Sequence, residues 1–146
     1  MANKTAFTLV LSLAAIGMTA ASASAKLKAD DDLTKATLGM LRTMISMYSV
    51  DHDGRFPANL EALIGPKDLK HIPYIRLKAH PRTNAWTRYG AEACTGSTEF
   101  GAEIDATKIK DTGGWGYVTD PKAKCFGKAF IDCTHKGPKG KRWLEY

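Results

Sequence analysis

Between Asp30 and Gly54 the apolar residues recur three and four positions apart. Leu33, Thr37, Met40, Leu41, Met44, Ile45 and Tyr48 make one stripe, and Lys35, Arg42, Thr43, Ser46 and Ser49 fall off it. The spacing predicts an amphipathic helix of about five turns. Asp30, Asp31 and Asp32 would supply its N-cap and complement the positive end of the helix dipole. Asp53-Gly54 would end it, with Gly54 in the left-handed C-cap position.

After this helix the period changes. In "RFPANLEALIGPKDLKHIP", Pro57 sets an extended lead-in, Asn59 can cap, and "LEALI" makes a short helix closed by Gly65-Pro66; "DLKHIP" adds a turn before Pro73. "YIRLK" suits a short strand. The segment "HPRTNAWTRYGAEACTGSTEFGAE" is polar and aperiodic, a connection long enough to fold over the domain or carry function. Order returns in "GWGYVT", "KAFIDCT" and "RWLEY", three strand-like runs separated by turn-rich "DPKAKCFG" and "HKGPKGK". In the first run Gly113 and Gly114 make the turn. Trp115, Tyr117 and Thr119 then alternate onto one face, with Gly116 and Val118 on the other. Short links predict a three-stranded antiparallel meander covered by the helix. The expected class is α+β: N-terminal helix, irregular middle, C-terminal sheet.

The first 25 residues have a different character. Lys4 precedes an apolar run from Ala6 to Met18, and "ASASA" ends in small residues, the pattern of a secretory signal cut between Ala25 and Lys26. Residues 1–25 are therefore expected to be a leader and 26–146 one domain. The run is short and alanine-rich for a membrane span; retained, it would be an anchor to the inner membrane. Formal net charge is +6. Its densest patch, Lys136, Lys139, Lys141 and Arg142, has no aromatic platform interleaved with it and reads as a solvated turn rather than a nucleic-acid site.

The chain has three cysteines, Cys94, Cys125 and Cys133, and no C-x-x-C pair. In an exported chain this implies one disulfide and one leftover thiol. With "KAFIDC" extended, Cys125 and Cys133 lie too far apart to bond unless the chain folds back at Phe126-Gly127. Cys133 would end the second strand near the start of the first, around Trp115, where the loop carrying Cys94 arrives. The expected bond is Cys94–Cys133, leaving Cys125 free. His52, His71, His80 and His135 show no metal-ligand spacing and read as surface or turn residues. "DHDG" has its glycine too early for a calcium loop and reads as a helix stop. No cofactor or metal is expected. The enzymatic alternative is a cysteine nucleophile, Cys94 or Cys133, beside His135.

Several segments resemble the globular domain of type II secretion pseudopilins and type IV pilins. They are "LRTMISMYSVDHDGRFPANLEALIGP", "KHIP", and "GGWGYVTD" followed by "KAFIDC". The resemblance runs from about Leu33 to Tyr146. It implies that Gly113, Gly114, Trp115, Gly116 and Tyr117 start the sheet that packs on the pilin helix. It also implies a non-enzymatic structural or assembly role in the periplasm or at the cell surface, among other pilin-like or secretion-system proteins. The N-terminus departs from the family: Ala6 stands where prepilins have the cleavage glycine and Leu11 where they have glutamate. The loop matching the family's calcium loop, "THKGPKGK", contains no carboxylate. These departures suit a pilin-like domain behind an ordinary export signal, with membrane association only if the leader is retained. The alternatives are a small secreted enzyme or a ligand- or nucleic-acid-binding module.

Overall fold

The computed structural model describes residues 15–65, 69–96 and 102–146. Helix α1 runs from Ala15 to Asp51. It starts well before the three aspartates, which lie inside it instead of capping it. The stretch from Ala15 to Ala29 is rich in alanine, the best helix former, and nothing in it stops the helix. The expected junction, Ala25–Lys26, is within α1 and exposed; residues 1–14 of the expected leader lie outside the described residues. At its other end Gly54 takes a φ of 81° and donates its N–H to Ser49 O at 2.8 Å, the C-cap that the sequence predicts.

The buried face of α1 is Thr34, Leu38, Leu41 and Ile45, flanked by Met44 and Tyr48. Leu33 and Met40, expected on this face, are exposed. The apolar positions cover more of the circumference than the domain occupies, and only one strip docks. Arg42, expected on the solvent side, is half-buried: its Nε donates to Ala129 O (3.0 Å) and its Nη1 to Tyr146 O (2.7 Å).

Asn59 caps the 3-10 turn Leu60–Leu63, accepting from Ala62 N–H as the sequence predicts. The middle region, expected to be irregular, holds strands. β1 (Ile75–Leu77) and β2 (His80–Thr83) form one antiparallel ribbon; β4 (Cys94–Thr95) and β5 (Glu103–Ile104) form another. Between them β3 (Trp86–Tyr89) joins the main sheet. That sheet has the order β3-β6-β7, where β6 is Trp115–Val118 and β7 is Ala129–Ile131. β6 and β7 pair antiparallel as expected. The third strand is not "RWLEY", which forms a 3-10 turn at Trp143–Glu145; it is β3, parallel to β6. On the β7 side, Arg42 takes the Ala129 carbonyl and Leu144 N–H bonds Cys133 O, so the helix and the C-terminal turn occupy the place expected for a strand.

The sheet is buried on both faces, and the alternation in β6 sorts them. Trp115 and Tyr117 join Leu41, Ile45, Leu60 and Leu63 beneath α1; Val118 joins Tyr89, Ile104 and Phe130 on the opposite side. Each fully buried aliphatic side chain stabilises the fold by about 1.5–3 kcal/mol. Trp115 Nε1 donates to Pro73 O (2.8 Å) and Tyr117 hydroxyl to Pro57 O (2.7 Å), which satisfies both polar tips. The glycines of this run allow close approach. A Cβ on Gly116 would sit 2.2 Å from the Phe130 ring.

The disulfide joins Cys94 to Cys125, with Cα atoms 5.8 Å apart, and Cys133 is free and buried; this corrects the expected Cys94–Cys133 pair. The parallel strand is the reason. β3 carries the chain away from the Trp115 end of β6 to the Val118 end, so Cys94 emerges beside the 120–127 turn and Cys125.

Candidate functional site

Three chain segments converge at the Trp115 end of the sheet. β2 opens with His80, the link into β6 contains Asp111, and the chain leaving β7 carries Cys133 and His135. Their ligating atoms all lie within 4.8 Å of one another. His80 Nε2 is 3.7 Å from Asp111 Oδ1, His135 Nδ1 is 3.6 Å from Asp111 Oδ2, and Cys133 Sγ is 3.5 Å from His135 Nδ1. The two histidines, far apart in sequence, meet edge to face with ring centroids 5.1 Å apart.

Local backbone geometry holds this group in place. Asp132, fully buried, accepts from Asp111 N–H (3.0 Å) and Thr112 hydroxyl (2.6 Å), and its own carbonyl takes Gly113 N–H (2.8 Å). Asp111 thereby adopts a φ of 56°, and Thr134 N–H donates to its Oδ1 at 2.7 Å. Gly113 has a φ of 74°, and a Cβ there would meet the His80 ring at 2.2 Å; only glycine lets the imidazole lie against this turn. Burial pushes the Asp111 carboxyl up, but the Thr134 N–H and the neighbouring His135 and His80 outweigh it and hold it below the usual carboxylate range. Burial pushes the Cys133 thiol up, to about 11.

The arrangement does not suit a nucleophilic relay. A Cys–His–acid relay needs thiol and acid on opposite imidazole nitrogens, so that a proton entering one side is stabilised from the other. Here Cys133 and Asp111 both approach Nδ1 of His135. The thiol is also fully buried and held neutral by that burial, the opposite of activation. Cys94, the other candidate, is in the disulfide. The four donors do suit a metal ion: two imidazoles, a thiol and a carboxylate. His80 Nε2 is buried without a hydrogen-bond partner among the described residues, a condition costing roughly 1–3 kcal/mol.

Two other surfaces bear on function. In the basic patch Lys136, Lys139 and Lys141 are exposed. Trp143 is buried and cannot stack on a base, and Arg142 pairs with Glu145. In the nearby cleft Lys128 donates to Ala102 O and Arg42 to Ala129 O and Tyr146 O, while Lys141 lies over the Tyr146 ring. The second surface is the outer side of α1. Leu33, Ala36, Met40, Thr43, Met47 and Val50 are all exposed there, alternately three and four residues apart. Leu33 and Met40, expected on the buried stripe, belong to this exposed heptad instead. Among the described residues no helix is long and apolar enough to cross a membrane. The chain matches no protein-family model, and no curated protein or solved structure is significantly similar to it.

Proposed function

We propose that this chain is a non-enzymatic structural or assembly protein of the pilin-like class, exported to the periplasm or cell surface, and that α1 packs through its outer face on the helix of another pilin-like subunit. The exposed seam carries this reading. Leu33, Met40 and Met47 lie seven residues apart, with Ala36, Thr43 and Val50 in the d-type positions between them. A 3.5-residue apolar repeat is the pattern by which two helices interlock side chains, and here it is on the side of α1 that the domain leaves uncovered. The small residues Ala36 and Thr43 allow close approach. Removal of residues 1–25 would leave every residue of the seam in place, so assembly through it does not depend on the family's N-terminal glutamate.

A photo-crosslinking residue at Met47 in the native cell tests the seam, with Ile45, which is buried, as the control position. The expected product is an adduct between Met47 and the helix of a second pilin-like subunit, a second copy of this chain included. No adduct, or adducts only to unrelated proteins, overturns the assembly role. Mass spectrometry of the mature N-terminus checks export: a chain beginning at Lys26 is expected, and a methylated Phe7 in the membrane fraction would refute the signal-peptide route.

A further inference from the structure

The geometry points to a transition-metal site of the zinc class, held by His80 Nε2, an Asp111 carboxylate oxygen, Cys133 Sγ and His135 Nδ1. The distances carry the argument. Bonds of zinc length to nitrogen, oxygen and sulfur, set at tetrahedral angles, place neighbouring ligand atoms about 3.3–3.6 Å apart. The three distances are 3.5, 3.6 and 3.7 Å. The two nitrogen–oxygen separations, which run to different oxygens of Asp111, are too long for hydrogen bonds and lie a few tenths of an ångström above the edges of a coordination tetrahedron. With all four ligand atoms within 4.8 Å of one another, a contraction of up to roughly 1.2 Å at the widest pair closes the donors on one ion.

The chemistry agrees with the geometry. A thiolate and two imidazoles favour zinc or a similar borderline ion, whereas calcium and magnesium select oxygen donors. Binding releases the Cys133 proton to solvent, and thiolate, carboxylate and two neutral imidazoles then balance a divalent charge. That neutrality suits donors of which Cys133 is fully buried and His80 Nε2 is shielded from solvent. The surrounding shell is already built. Asp132 and Thr134 orient Asp111, and Gly113 leaves room for His80. Four protein ligands fill the tetrahedron and leave no position for substrate, so the ion is structural. It would tie β2, the link before β6 and the tail after β7 into one unit. His135, whose side chain is half-exposed, provides the route by which the ion enters.

Cobalt(II) is the probe, added to the untagged, chelator-treated chain with the Cys94–Cys125 bond intact and Cys133 reduced. One equivalent should produce a thiolate-to-cobalt charge-transfer band and the intense visible bands of a tetrahedral ion, both abolished by zinc. Cys133→Ser should remove the charge-transfer band. Because Cys133 is buried and replacing it can unfold the chain, His135→Asn provides the second arm. It should keep the circular dichroism spectrum and bind cobalt at least ~10-fold more weakly. Absence of the charge-transfer band with excess cobalt on the folded chain overturns the site. So does a band that survives Cys133→Ser, or an unchanged affinity in folded His135→Asn.

Discussion

The two ends of the central sheet are closed in different ways. At the Val118 end, where β3 and β6 both finish, the chain is stapled covalently by Cys94–Cys125, and the surrounding residues, Tyr89, Ala93, Val118 and Phe130, are mostly apolar. At the Trp115 end there is no covalent link among the described residues. Three segments meet there through His80, Asp111, Cys133 and His135, supported by the buried Asp132. A disulfide acts mainly by restricting the unfolded chain and is indifferent to neighbouring polarity. A cluster of polar donors is stable only when each donor is satisfied. The first end is therefore fixed once oxidised, whereas the second responds to what binds there.

The comparison is most exposed to a change at Arg42, which ties α1 to Ala129, where β7 leaves the disulfide end, and to Tyr146. Arg42→Asp removes two charge-assisted hydrogen bonds and turns a carboxylate toward carbonyl oxygens. A loss of about 3 kcal/mol or more is expected in urea unfolding. A loss below 1 kcal/mol would return Arg42 to the solvent face and undo the docking of α1. Next in size is Cys125→Ala. Opening the bond between residues 31 apart in sequence should lower stability by about 2–4 kcal/mol. Limited proteolysis should then cut first between β3 and β6. Peptide mapping of the unreduced parent chain should yield a Cys94–Cys125 peptide; a Cys94–Cys133 peptide would show that β3 does not run parallel to β6. The smallest effect belongs to the Trp115 end. Gly113→Ala forces a Cβ onto the His80 ring and a non-glycine residue to positive φ, at a cost of roughly 1–3 kcal/mol in thermal unfolding. A neutral result would mean that His80 does not lie against this turn.

Features set by neighbouring residues were legible in the sequence. The stop at Gly54, the Asn59 cap, the β1 strand and the two-sided alternation of β6 each follow from local sterics and hydrogen bonding. The α1 stripe was legible as a helix but not as a docked face, because Leu33 and Met40 are as apolar as Leu38 and Leu41. β3 was hidden for a related reason. "WTRY" sits in a polar stretch, and it forms a strand because β6 offers it a parallel edge, with Trp86 opposite Trp115 and Tyr89 opposite Val118. The candidate metal site was the least legible part. Its ligands come from three segments: Cys133 and His135, two residues apart, could be paired in the sequence, but His80 and Asp111 lie too far along the chain to be joined to them.

By itself, the sequence determined the α+β class, the glycine-aromatic strand, though not its central place in the sheet, and the presence of one spare thiol. Those depend on periodicity, on backbone freedom at particular glycines and on the odd number of cysteines. Which thiol is spare was decided by the tertiary structure. An antiparallel meander would have brought Cys94 to Cys133; a parallel β3 sends it to the opposite end of the sheet, to Cys125. Strand direction is set by which edge the chain can reach and cover, a property of the whole packed domain. Cys133 consequently remains a thiol beside two histidines and an aspartate.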